Sequence, residues 1–390
     1  MVENVLSEAY DTAITAGGKA TERLNQIFHG AERKRTTVRF VHTDRLAERF
    51  YFNSQHTTVA HEFSTQTKIN AFSVLAFPSD IEREIVDSYS FTDIETQVDP
   101  TKFFESKLRE VGHTISNGII DEWADNADVD IELTTPTCRR GVFPEMLLPE
   151  ELRWLGGVVP LFETEIKAGD HEFTHYFILS SDAHVHNLIG QSRKNNVSDF
   201  PRSIEAIVAE GAVTAEENLN QQLGRTQVSV SDWSLQYTSI DNVIEYGPDG
   251  EMIGCFVDIE ETLDGIAYVS FEPNVAYDMS ADLLDQADLQ TTEELTESVI
   301  NEIAMNMLTS FSDGWANVAE HTIDYTPPAY ERSEMDEVMN KMKQSVYSEE
   351  VFLLTVQLVT PADGECWISV ICEPEGIVDT AADLEMLFPD

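Results

Sequence analysis

Residues 106–136, SKLREVGHTISNGIIDEWADNADVDIELTTP, place apolar side chains at Leu108, Val111, Ile115 and Ile119, the spacing of three and four that closes one face of an α-helix. Opposite that face runs a polar stripe of Ser106, Glu110, His113 and Asn117, which at about 100° per residue fall within roughly 60° of one another. The helix is expected to bury one side and hold the other toward solvent or a partner. Stretches that alternate or run continuously apolar predict strands at TTVRFVHT (36–43), INAFSVLAFP (69–78), VVPLFETEI (158–166) and HYFILSS (175–181). ATERLNQIFHG (20–30) reads as a helix that closes at a glycine.

The pattern then returns. Residues 298–328, SVINEIAMNMLTSFSDGWANVAEHTIDYTPP, repeat the frame of 106–136 without a gap at an offset of 192, so that Ser298 answers Ser106, Glu302 answers Glu110, Trp315 answers Trp123 and Pro328 answers Pro136. At nearly the same offset AEENLNQQLGR (215–225) answers 20–30, GIAYVSFEP (265–273) answers 69–78, and VFLLTVQLV (351–359) answers 158–166. A period near 190 residues is too long for a solenoid and predicts a tandem duplication of a whole domain, 1–195 followed by 196–390, joined near GQSRKNNVSDFPRS (190–203). Each copy reads as a long helix, a hairpin, a second long helix and another hairpin. That order predicts an α+β domain with internal pseudo-twofold symmetry: an antiparallel sheet carrying two long helices.

Charge changes the list of partners. Against 24 basic side chains stand 71 acidic ones in 390 residues, a formal charge of −47, spread along the whole chain rather than gathered in a tail. Nucleic acid and anionic membrane surfaces would both be repelled. In molar salt the screening length falls to about 3 Å, so the self-repulsion becomes tolerable, and a halophilic cytoplasm is the simplest setting for this composition. Four cysteines without a CxxC fit a reducing compartment, and neither a leader pattern nor a run of eighteen apolar residues occurs, so the reading is cytoplasmic with no membrane insertion.

The polar stripe carries the candidate chemistry. A helix with Asp or Ser, then three residues, Glu, two residues, Asn, and a proline about 22 residues further on resembles the active-site motif of the CheC family of chemotaxis phosphatases (CheC/CheX/FliY-like). Here Ser106-x3-Glu110-x2-His113-x22-Pro136 follows that frame, and Ser298-x3-Glu302-x2-Met305-x21-Pro327 follows it again. The resemblance implies two tandem CheC-like domains and, as partner, the phosphorylated response regulator CheY. It also implies that the Glu pairs with a lysine of the regulator while the Asn carboxamide orients a water toward the aspartyl phosphate. CheD or motor-switch adaptor proteins are implied as further partners. No cofactor is implied, because the regulator brings its own metal.

The departures are specific. His113 stands at the amide position of the first copy, and an imidazole can accept from or donate to a water with a different reach. Met305 stands there in the second, and a thioether cannot orient water usefully. Asn306 beside it and Asn117 one turn beyond His113 are candidate stand-ins. The family's site on the first helix looks empty, with Tyr10 and Ala13, or Ala206 and Ala209, at its positions. Candidate catalytic residues are thus Glu110, His113, Glu302 and Asn306. Candidate binding residues are Ser106, Asn117, Pro136, Ser298, Met305 and Pro327.

HEFTH (171–175) matches the zinc-protease pattern H-E-x-x-H, but that motif needs a helix. Here a turn precedes it and YFILSS follows, so as a strand it would hold its histidines roughly 13 Å apart, and no metal site is expected. HVH (184–186) is too short to change this. Two functions of different class stay open: a CheC-type hydrolase acting on phospho-CheY, and a non-catalytic adaptor that keeps the docking face and links CheY or CheD to the motility motor.

Overall fold

A computed structural model describes residues 2–43, 46, 56–65, 70–89, 100–127, 131–141, 158–179, 200–260, 264–286, 292–319, 323–362, 364–374 and 377. Most of the expected join, and His184 with His186, lie outside these. The chain divides into two compact units, Met1–Pro201 and Arg202–Asp390.

In the first unit, helix α1 (Val2–Asn25) leads into β1 (Ala31–His42), β2 (His56–Thr65) and β3 (Asn70–Pro78), then a short α2 (Glu82–Tyr89) and the long α3 (Pro100–Ala127). Two short strands follow, β4 (Ile131–Leu133) and β5 (Thr137–Gly141), and then the pair β6 (Val158–Ala168) and β7 (His171–Leu179). All described pairings are antiparallel, in the order β1-β6-β7-β3-β2, with β4 and β5 sharing the outer edge of β2. Helix, outer strand and hairpin thus occur twice: α1 with β1 and β2–β3, then α3 with β4–β5 and β6–β7. Each outer strand crosses to the other half's hairpin, which is the pseudo-twofold plan expected.

One difference from the sequence reading lies between the long helices, where three strands and a short helix stand in place of a single hairpin. The second of those strands, HTTVAHEFST, carries too many threonines and histidines to show an apolar period, yet its Thr57, Thr58 and His61 are buried.

The buried face of α3 is the one its spacing predicts: Leu108, Val111, Ile115, Ile119 and Trp123 are all enclosed. Trp123 stacks on Phe177 of β7 at 5.0 Å between ring centroids and meets Phe162 of β6 edge-on at 4.9 Å. Between Val111 and His113, Gly112 lies so close to β2 that a Cβ there would come within 2.4 Å of Val59 Cγ1. Any larger residue would force the helix off the strand. Another cluster packs Val41, Phe72, Val74, Val159, Leu161 and Ile178.

The second unit passes through the same sequence of elements: α4 (Phe200–Gln222), β8 (Ser229–Ser239), β9 (Glu251–Glu260), β10 (Gly265–Phe271), α5 (Pro273–Gln286), α6 (Glu293–Ala319), β11 (Asp324–Tyr325) and β12 (Ala329–Glu334), then β13 (Glu350–Val359) and β14 (Glu365–Cys372). Its sheet order β8-β13-β14-β10-β9, with β11 and β12 on the edge of β9, matches that of the first unit strand for strand. Between β12 and β13 runs α7 (Met335–Ser345), whose Met335, Val338, Met339 and Met342 fill a core with Tyr268, Leu353 and Ile371.

Candidate functional site on the polar face of the second long helix

Helix α3 starts on Pro100, whose fixed φ and missing N–H suit the first helical turn. Along its polar stripe exposure falls off: Ser106 and Glu110 are exposed, while His113 and Asn117 are half-buried. The stripe is therefore surface at one end and partly enclosed at the other. Lys107 Nζ lies 2.8 Å from Glu110 Oε2, an ion pair on the helix surface. Pairs of this kind contribute roughly 0.2–1 kcal/mol, so a better-placed cation from outside can displace Lys107.

His113 is set differently. Its ring faces that of His61 on β2, with centroids 5.2 Å apart and planes inclined at 38°. His61 is fully buried, and its Nδ1 lies 3.3 Å from the Thr134 carbonyl oxygen in the link between β4 and β5. Burial, with a smaller push from His113, outweighs that contact and lowers the His61 pKa to about 4, so the ring is neutral at physiological pH. Gly112 makes this contact of rings reachable, because only a residue without Cβ lets α3 settle onto Val59, two residues before His61.

Pro136 has a positional reason. Ala60 pairs with Thr137, so the next rung sets His61 opposite Pro136, but Phe63 pairs with Leu133, one residue out of step. The ladder slips where the proline has no N–H to give. In the second unit Phe256 pairs with Ala329 and Ile259 with Tyr325, the same slip. Extending that register sets Val257 opposite Pro328, which is half-buried and matches Pro136, whereas the motif residue Pro327 is one place earlier and exposed.

Beside the exposed end of the stripe, Arg140 of β5 bridges Glu82 of α2 at 2.5 Å and Glu105 of α3 at 3.5 Å, and the Thr57 hydroxyl donates to Glu82. This network ties the start of α3 to the sheet edge. Its acids were not readable as a group in the sequence, since α2, α3 and β5 are brought together only by the fold. Burial pushes the Cys138 thiol up to about 11 and Cys255 and Cys366 to about 12, so none of these three is a ready nucleophile; all four cysteines are unpaired.

On α6, Ser298, Glu302 and Asn306 are exposed and Met305 is half-buried, and Cys255 donates to Asn301 Oδ1 at 2.8 Å. The stripe keeps its acid and lacks an imidazole or carboxamide at the position of His113. On α1, Tyr10 and Ala13 are buried, so the positions aligned with a second site face the interior. HEFTH lies on β7, as a strand: His171 Nε2 is 2.9 Å from Glu84, and His175 Nε2 is 2.8 Å from Ser73 Oγ. Among the described residues no group of three or more His, Cys, Asp or Glu could hold a metal ion, and no helix is long and apolar enough to cross a membrane.

No family model matches the chain. Among curated proteins it is 22% identical over 163 residues to CheC1 of Halobacterium salinarum, named for CheY-P phosphatase activity, a match covering 41% of this chain and 83% of that one. Among solved structures it is similar to FliY of Thermotoga maritima (15% identity, 48% of this chain, 97% of that chain, TM-score 0.39). It is also similar to a chain of the CheX–CheY–BeF3–Mg complex of Borrelia burgdorferi (14% identity, 43% of this chain, 97% of that chain, TM-score 0.30).

Proposed function

We propose that this chain is a member of the CheC/CheX/FliY-like family, and that it binds a CheY-type response regulator through the Glu110 face of α3 and slowly hydrolyses its aspartyl phosphate in the first unit. One observation carries the reading: α3 keeps an exposed acid and, one turn on, a nitrogen-bearing side chain, at the frame in which the family sets Glu and Asn. An acyl phosphate is already activated, so a protein that holds a water in line supplies most of what the reaction lacks. Glu110, released from Lys107, pairs with a cation of the regulator and fixes the register, and His113 orients the water. The name of the Halobacterium relative points to the same substrate.

The second unit reads as a docking domain, and Met305 is the observation that favours this. Its Glu302 retains the acid, with no carboxamide or imidazole beside it at the matching place. Exposed Asn306 is rotated about 100° from Met305 around the helix. We assign the near-identical element order to a duplication with a boundary near residue 195, the charge to a halophilic cytoplasm, and CheD or motor-switch proteins to the second unit as partners.

The test is the lifetime of the cognate phospho-CheY in high salt. Wild type should shorten it modestly, His113→Ala should remove the effect while binding persists, and His113→Asn should enhance it. Glu110→Ala should weaken binding by about 1.5–3 kcal/mol, the worth of a charge-assisted contact. Binding unchanged by Glu110→Ala at both high and low salt would reduce the stripe to solvated surface and sink the proposal.

A further inference from the structure

Two enclosed nitrogens, one on each of the facing rings, have no hydrogen-bond partner among the described residues: His61 Nε2 and His113 Nδ1. The other nitrogen of His61 decides what both must be. Its neighbour is the Thr134 carbonyl oxygen, which can only accept, so Nδ1 carries the proton of the neutral ring and Nε2 presents a lone pair. A second lone pair on His113 Nδ1 would leave two enclosed acceptors on adjacent rings, neither of them with a donor. A proton on His113 Nδ1 supplies the donor that His61 Nε2 lacks, directly or through one bridging water.

We infer that His61 is a positioning residue for His113: the relay Thr134 carbonyl, His61, His113 holds the His113 proton on Nδ1 and leaves Nε2 as the lone pair that accepts from the attacking water. A carboxamide offers donor and acceptor from separate atoms. A neutral imidazole has one of each, and which nitrogen is which depends on what lies behind it. The second unit supplies an internal comparison. The register that sets His61 opposite Pro136 sets Val257 opposite Pro328, and Met305 stands at the place of His113, so the two imidazoles are replaced together by two apolar side chains. His61 is not part of the motif on α3, and nothing in the spacing of that helix points to it.

The inference rests on the reading of His113 as the water-orienting group, and the experiment separates the two. Long-range proton–nitrogen NMR of the full chain with labelled histidine, His113 being assigned by its loss in His113→Asn, reports the tautomer without any activity. The expected result is His113 protonated on Nδ1 in wild type and in His61→Gln, whose carboxamide can donate to Thr134 and accept from His113, with a shift toward the other tautomer in His61→Leu. In the phospho-CheY assay His61→Leu should lose the acceleration by roughly tenfold or more with binding intact. The same substitution on a His113→Asn background should change nothing. His113 protonated on Nε2 in wild type, or a tautomer indifferent to His61→Leu, would overturn the inference. The expected tautomers in a protein that never shortens the phosphoryl lifetime would overturn the functional reading and leave the relay standing.

Discussion

Acidification from about pH 7.5 to about pH 5.5 should loosen Met1–Pro201 while leaving Arg202–Asp390 nearly unchanged, because nine of the ten histidines precede residue 201 and two of them are held neutral by burial. Burial lowers His61 to about 4 and His175 to about 3, from an ordinary value of 6.5, and in His175 the nearby His61 adds a smaller push. When the folded pKa is depressed, the unfolded chain takes the proton first. The contribution to stability is then complete above the unfolded value and drains away as pH falls toward the folded one. At about pH 5.5 each buried ring has cost about 1.4 kcal/mol relative to neutrality, together about 3 kcal/mol, a large share of the margin by which a domain is folded. The depressed carboxylates of the second unit, Glu251, Asp282 and Glu331, lose their contributions only at lower pH and do not interfere in this window. Hydrogen exchange read peptide by peptide, corrected for intrinsic rates and run in molar salt, follows both units in one full-length sample. Protection should fall in β2, β3, β6 and β7, and His175→Gln, which keeps a polar partner for Ser73, should remove about half of the pH slope. Equal loss in both units, or none in the first, would refute the assignment of buried neutral histidines.

Gly112→Ala should destabilise the first unit by about 1–3 kcal/mol in thermal or denaturant unfolding, since its Cβ would press on Val59 at 2.4 Å, and Val59→Ala in the same chain should restore much of the loss. An alanine tolerated at 112 without compensation would mean that α3 does not approach β2 this closely. Transfer from about 3 M to about 0.1 M salt should cost compact structure, because the charge of −47 is then unscreened; circular dichroism unchanged across that range would refute the charge argument.

The long helices and the apolar strands were legible because their patterns are local. Leu108, Val111, Ile115 and Ile119 mark a face whatever surrounds them, and β6, β7, β13 and β14 carry enough Val, Ile, Leu and Phe to be read as strands. The strand β2 was not legible: Thr57, Thr58 and His61 are buried by neighbours on both faces, a fact that no alternation records. The edge pieces β4 and β5 are three and five residues long, too short for an alternation to show, and β5 carries no aliphatic or aromatic side chain. The site divided in the same way. Glu110 and His113 stood out as a stripe on one helix, whereas His61 lies on another element and meets His113 through strand register and the absence of a side chain at residue 112. A buried histidine on a strand is the signal that could have pointed to it, and that requires knowing where β2 runs.

The slip in the ladder at Pro136 and Pro328 has a further consequence for how such a chain stays dispersed. Where salt screens the charge, electrostatic repulsion no longer keeps copies apart, and an uninterrupted outer strand would offer its free N–H and C=O groups as a template to the next molecule. Here the outermost position beside β2 and β9 is filled by two short pieces, broken at a residue that cannot donate. A continuous row of backbone groups never forms there, and strand-by-strand growth into fibres is denied a starting place.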